Sequence, residues 1–434
     1  MTGEAARKED WAPASVYVLG FLYLIATFNY LDRLLLGLAL PAIKQEMQVS
    51  DTALGLVTGL AFTLSYSLLG IPIAWAADRF SRRNIIAIGF AFWSLMTVFS
   101  GLAANIWQLS LARFLMGVGE STGMAPSTSM ISDLFRARSR QMAMSILGTA
   151  GVVASLTFFP VVGAVGQAYG WRAMFFVAGV PGVALALLFA LTVREPARGG
   201  KEAIVEKAPS PTLGETVRFL AGSRAYILLT LGATFMGASL SAEGSWLATF
   251  LHRVHGAGIR DAAFLIGPVR GGAGALGILS IGYLIHRLSG DRPKMRARIP
   301  AIACILTGPA QALYLLSDPP WLWLTGFLIS GFLVLVYWGP VFALGVSVVR
   351  LPMRALATAI TLAVSTMLGQ IAGPLIVGAL NDALAPRFGE LAVRYSMLPG
   401  ALTSMLAGVM FWLAGEMLQV DSARANSALQ VTSA

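Results

Sequence analysis

The sequence predicts an all-α membrane protein: twelve spanning helices arranged as two pseudo-symmetric six-helix bundles. Three observations carry that reading. The 434 residues are 56% hydrophobic and only 12% charged, where a soluble domain carries about 25% charged residues. Apolar stretches of 19 residues or more recur twelve times, each long enough to cross a hydrocarbon core of about 30 Å. The basic residues between those stretches fall almost entirely on one side, as cytoplasmic loops require.

The spans fall near 15–40, 52–77, 84–104, 107–132, 141–166, 171–193, 225–250, 262–285, 299–317, 320–348, 355–381 and 394–418. None shows the period-two alternation of a membrane β-barrel strand. With both termini placed in the cytoplasm, 22 of the 31 Lys and Arg residues lie inside, six lie outside and three (Arg33, Arg113, Arg270) lie within spans. The net charge of +10 is thereby accounted for by topology and implies no nucleic-acid partner. The basic stretch 194–224, with Pro196, Gly199, Gly200, Pro209 and Pro211, reads as a cytoplasmic linker. It separates an N-terminal bundle, 1–193, from a C-terminal bundle with a short tail, 225–434. Asp32 and Glu243 lie 211 residues apart, and Asp78-Arg79 at the end of the second span matches His286-Arg287 at the end of the eighth. Such echoes suggest duplication, the pattern of carriers whose halves alternate about a midplane site.

Charges inside a span are rare because each costs roughly 2.5–3.5 kcal/mol at the bilayer centre. The fourth span carries two, Arg113 and Glu120, seven residues apart and therefore on one face, about 10 Å apart along the axis. Asp32 in the first span matches Arg113 in depth, so the two can pair, with Glu120 deeper. Carboxylates in such a setting exchange protons as their partners and hydration change, whereas arginine stays charged and serves as switch or anion clamp. Asp32, Arg113 and Glu120 are the candidate proton-coupling and headgroup residues. The competing reading is a set of charges that only holds helices together. Glu243 and Arg270 form a second candidate set, for which a helix-pairing salt bridge is the favoured role. Asp78, Arg79, Arg82 and Arg138 form a candidate cytoplasmic gate in which Asp78 bridges to Arg138.

No cofactor or metal site is expected. Cys304 is alone, two histidines (His252, His255) lack carboxylate company, and no Ser/His/Asp set, phosphate loop or His-Glu-x-x-His occurs, which argues against an enzyme. Trp107, Trp171, Trp321 and Trp323 read as interfacial anchors.

The run Ala74-Trp-Ala-Ala-Asp78-Arg79-Phe-Ser-Arg82-Arg83 resembles the signature loop of the major facilitator superfamily, with two glycines replaced by Ala74 and Ser81. Within it, Asn29-Tyr30-Leu31-Asp32-Arg33, Ala112-Arg113 with Gly117-Val118-Gly119-Glu120, and Ile131-Ser132-Asp133-Leu134-Phe135 resemble a bacterial member of the Spinster family of lipid transporters. The resemblance implies the major facilitator fold and transport of amphipathic anions such as lysophospholipids or sphingosine-1-phosphate-like lipids. It also implies that Asp32, Arg113 and Glu120 form the coupling and headgroup site. The chain is thus expected to be a proton-linked, alternating-access, multi-pass monomer of the bacterial inner membrane, in contact with membrane lipids. The alternatives are a proton-coupled carrier of small organic anions or drugs and, in another class, a non-transporting membrane sensor.

Overall fold

The computed structural model of the protein describes residues 11–198, 212–289 and 292–430, without the side chains of 137, 138, 293 and 426–430. Among the described residues there are helices and no strands. In order they are α1 (Pro13–Met47), α2 (Asp51–Arg79), α3 (Arg82–Leu102), α4 (Ile106–Glu120), α5 (Met124–Leu134), α6 (Ser139–Tyr169) and α7 (Trp171–Thr192). After them come α8 (Leu213–Ala221), α9 (Arg224–His255), α10 (Ile259–Ser289), α11 (Pro293–Leu316), α12 (Pro320–Leu333) and α13 (Trp338–Ser347). The chain continues with α14 (Arg354–Val364), α15 (Gln370–Phe388), the single turn and a half α16 (Ala392–Ser396) and α17 (Leu398–Gln430).

Ten helices among the described residues are long and apolar enough to cross a membrane. Two features separate that number from the twelve expected spans. The fourth span is broken after Glu120, where Ser121–Gly123 turn between α4 and α5, and Leu351–Ala425 runs on as one 75-residue candidate. The outward faces carry bare apolar side chains, among them Ile88 (70% exposed), Leu191 (82%) and Leu279 (71%), a surface suited to lipid tails rather than water.

The helix ends follow local chemistry. The Ser50 hydroxyl accepts from Ala53 N at the start of α2, Ser81 from Asn84 N at the start of α3, and the Asn105 side chain from two amides at the start of α4. Each satisfies donors that a helix start leaves bare. The stretch expected as linker holds a helix. Thr212 and Glu215 close a reciprocal capping box on α8, which buries Thr216, Phe219 and Leu220.

Four helical stretches widen into π-helix: Val57–Ala61 in α2, Ala154–Phe158 in α6, Pro268–Ala273 in α10 and Ser365–Gly369 between α14 and α15. The third starts 211 residues after the first and the fourth 211 after the second, the same interval that separates Asp32 from Glu243. The chain divides into two compact units, Met1–Glu206 with His255–Gly267, and Lys207–Val254 with Pro268–Ala434. The first is cored by residues such as Phe90, Trp93, Phe135 and Phe189, the second by Tyr226, Tyr337 and Phe411.

In the first unit, α4 is drawn against its neighbours where it lacks side chains. A Cβ on Gly119 would lie 2.8 Å from Trp93 N and 3.0 Å from Gly89 O, and one on Gly117 would lie 2.6 Å from Phe62 O. Backbone atoms cannot swing aside, so α3 and α4 would have to part. Gly119→Ala should therefore destabilise the protein by about 1–3 kcal/mol, read as a lower unfolding midpoint in detergent. An unchanged midpoint would show that this close approach does not hold the pair of helices together.

Candidate functional site

The buried charges of the first unit gather where α1 passes α4. Asn29 and Arg33 are one turn apart on α1 and share a face. Asn29 Nδ2 donates to Glu120 Oε2 at 2.8 Å and Arg33 Nε to the same oxygen at 3.0 Å. Glu120, the last residue of α4, is 1% exposed, and its other oxygen has no partner. The Phe62 ring, one residue past the first π-segment, lies under two guanidiniums: Arg33 at 5.0 Å and Arg113 at 5.5 Å from its centroid. Tyr66 stacks on Phe62 and also faces Arg33, at 4.8 Å. Aromatic faces of this kind attract a cation without neutralising it.

Asp32 points elsewhere. It is buried beside Thr97 and Trp93 of α3, and its Oδ1 has no hydrogen-bond partner. The matched depths of Asp32 and Arg113 suggested an ion pair, but among the described residues none joins them. Arg113 Nη1 instead reaches the Asp32 main-chain carbonyl at 3.3 Å and Met116 Sδ at 3.5 Å, and its Nε has no partner. The reason is angular. Arg33, the neighbour of Asp32, takes the face that looks at Glu120, so the carboxylate of Asp32 turns away toward α3. Two carboxylates and two guanidiniums thus share this region with one ion pair completed, Arg33–Glu120. Sequence reasoning missed Arg33 and Asn29 as partners of Glu120. The signal was present in their spacing of four.

In the second unit Glu243 on α9 pairs with Arg270, which lies inside the π-segment of α10. Tyr314 of α11, 1% exposed, donates its hydroxyl to Glu243 Oε1 at 2.6 Å. One turn earlier Gln311 bridges Ser239 at 3.1 Å and approaches Ser404 at 3.4 Å. Tyr314 and Gln311 were not foreseen, since a tyrosine or glutamine in an apolar span carries no formal charge to mark it.

At the end of α2 the arginine that matters is Arg82. It is 2% exposed and every nitrogen of its fork is used. Nε donates to Glu195 at 2.8 Å, Nη1 to Asp133 and to Ser129 at 3.0 Å, and Nη2 to the Pro196 carbonyl at 2.9 Å. Arg198 caps the same helix end through the carbonyls of Ala77, Asp78 and Phe80. Asp78 is exposed, and among the described residues its carboxylate makes no ion pair. Arg79 stacks on Trp75, 4.0 Å from the ring centroid. The side chain of Arg138 lies outside the described residues. Of the four expected anchors, Trp107 and Trp321 are exposed, whereas Trp323 is buried and Trp171 is buried with its indole N–H on Glu46 at 2.7 Å.

Within this geometry the family match is specific. The family model of the Major Facilitator Superfamily matches residues 22–374, so the chain belongs to that superfamily and is an integral, multi-pass membrane transporter of small molecules, not an enzyme. Among its relatives it resembles Spinster proteins. It is 28% identical over 455 residues to protein spinster homolog 1 of Homo sapiens, covering 96% of this chain and 83% of that protein. It is also 27% identical to an MFS-type efflux pump of Mycolicibacterium smegmatis, over 95% of this chain and 94% of the pump. A crystal structure of a bacterial homolog of the human lysosomal transporter Spinster superimposes with a TM-score of 0.83 at 27% identity, covering 94% of this chain and 98% of that one. A nucleoside transporter at 17% identity shares the fold, with a TM-score of 0.70.

Two tests follow from these contacts. Arg33→Ala strands a buried carboxylate, a loss of about 3–5 kcal/mol for breaking one partner of a buried pair. The double variant Arg33→Ala/Glu120→Gln should recover most of the unfolding midpoint. A double variant no more stable than the single one would contradict the pairing. For Glu195, partial burial pushes the carboxyl up, but the Arg83 N–H, Arg82 and Ser81 outweigh it and hold it below the usual carboxylate range. The folded value therefore lies below the unfolded one of about 4.3. The stabilisation is present above that pH and is lost as pH falls through the folded value. Glu195→Gln should lower the unfolding midpoint at pH 7, and the deficit should shrink as pH falls from the unfolded value through the folded one. A deficit that does not change with pH would exclude an ionic role.

Proposed function

We propose that the chain is a twelve-span, two-bundle alternating-access carrier that moves amphipathic anions, of the lysophospholipid or sphingosine-1-phosphate-like class, in linkage with protons. It acts as a monomer in a bacterial inner membrane, with both termini cytoplasmic. The observation that carries the reading is the incomplete pairing around Arg113. A guanidinium with a bare Nε, bonded to the Asp32 main-chain carbonyl, and the Asp32 carboxylate with a bare oxygen both lie inside an apolar bundle. Neither is neutralised by a fork-to-fork contact, so each retains capacity for a mobile partner: an anionic headgroup for Arg113 and a proton for Asp32. Glu120, already held by Arg33 and Asn29, serves as the second proton station. The similarity to Spinster proteins, with the lipid-transporter motifs around these three residues, supports the choice of substrate class. A carrier of small organic anions or drugs is the second reading. It is favoured by the similarity to an efflux pump, and in it Arg113 would grip a carboxylate.

Reconstituted vesicles test the proposal. Uptake of a labelled lysophospholipid should depend on an imposed pH difference, and Arg113→Ala should reduce it to the level of empty vesicles. Asp32→Asn should leave residual uptake without its pH dependence. Uptake indifferent to both pH and Arg113, or confined to small organic anions, would reject the lipid reading.

A further inference from the structure

The Glu243–Arg270 pair was expected to be a structural bridge between helices, and Arg82 shows what a structural arginine looks like in this chain: every fork nitrogen is bonded. Arg270 differs. Its buried Nη1 has no hydrogen-bond partner, and its one ionic contact among the described residues is with Glu243 Oε2. The other Glu243 oxygen accepts from the Tyr314 hydroxyl at 2.6 Å and not from Arg270 Nη1, so the two-pronged contact that arginine makes best with a carboxylate is not made. Tyr314 is itself fixed, edge-on to Phe250 at 5.7 Å and to Phe327 at 5.6 Å between ring centroids. Glu243 is therefore held in place by a neutral group, independently of Arg270.

Arg270 also stands inside a π-helical stretch, directly before Gly271, Gly272 and Ala273. Such stretches occur frequently at functional sites. We propose that Arg270 is an anion-binding residue of the second unit. It takes the phosphate or carboxylate headgroup of an amphipathic anion on both of its Nη atoms, and Glu243 is the internal anion which that headgroup displaces. Tyr314 is the positioning residue that keeps the displaced carboxylate bonded. The class of ligand rests on the transport reading above; the assignment of Arg270 rests on the contacts just described.

A bridge and a displaceable partner predict opposite signs for Glu243→Gln. Glutamine keeps the Tyr314 contact and removes the competing charge. Binding of dodecyl phosphate and of dodecanoate to the purified full chain in neutral maltoside detergent can be followed by titration calorimetry, with micelles alone as the blank. Glu243→Gln should bind the anion several-fold more tightly than the native chain. Arg270→Gln should weaken it by about tenfold or more, the loss of a charge-assisted fork contact. Arg270→Lys, which keeps the charge without the fork, should fall between, and it serves if Glu243→Gln does not fold. The tighter-binding anion identifies the headgroup. Folded Glu243→Gln and Arg270→Gln proteins that bind as the native chain does, while Arg113→Gln does not, would overturn this assignment alone. A native chain that binds neither anion would overturn the substrate class as well.

Discussion

Everything in the first unit depends on one constraint: a charge placed inside an apolar bundle must be answered within the bundle. Glu120 meets it through Arg33 and Asn29 on one face of α1, which sets the rotation of α1 about its axis. That rotation turns Asp32 away from Arg33 toward α3, and it leaves Arg113 with a main-chain carbonyl, a sulfur and the face of Phe62. Transferring such groups out of water costs several kcal/mol each even after relaxation. An arrangement that completes only one of the available pairings is therefore expensive as mere packing, and the residual capacity of Asp32 and Arg113 is where substrate and proton enter the account.

The two units meet the same constraint differently. Asp32 and Glu243 are separated by the same interval as the π-segments of α2 and α10, yet among the described residues Asp32 has no ion pair and Glu243 has one. The first unit places its incompletely bonded arginine on α4, the second on α10 within the widened turn. Two units that carry their incompletely bonded arginines on different helices give those arginines unlike surroundings.

Much of this was legible in the sequence. Asp32, Arg113, Glu120, Glu243 and Arg270 stand out because a formal charge in a 20-residue apolar run has few structural excuses. Pairings were less legible. Depth alone put Asp32 opposite Arg113, but depth does not fix the angle about the helix axis, and the angle decided that Arg33 rather than Asp32 enters the pairing. Tyr314 was hidden because an uncharged ring in a span looks like packing. Glu195 and Arg198 were hidden inside a segment read as plain linker. The cap of α8 could have been found, since Thr212 and Glu215 have the spacing of a capping box. The π-segments leave no mark in composition, because one extra residue per turn changes register and not chemistry.

An anion bound at Arg113 offsets the positive charge near Asp32 and Glu120 and so favours their uptake of protons, a linkage that must be reciprocal. The direct measurement is proton exchange on binding. Dodecyl phosphate is added to the purified chain in weakly buffered detergent solution at neutral pH, with an indicator dye as readout. The account predicts net proton uptake by the native chain and none by the folded Asp32→Asn/Glu120→Gln variant. Binding without proton uptake by the native chain, or uptake undiminished in the variant, would contradict it.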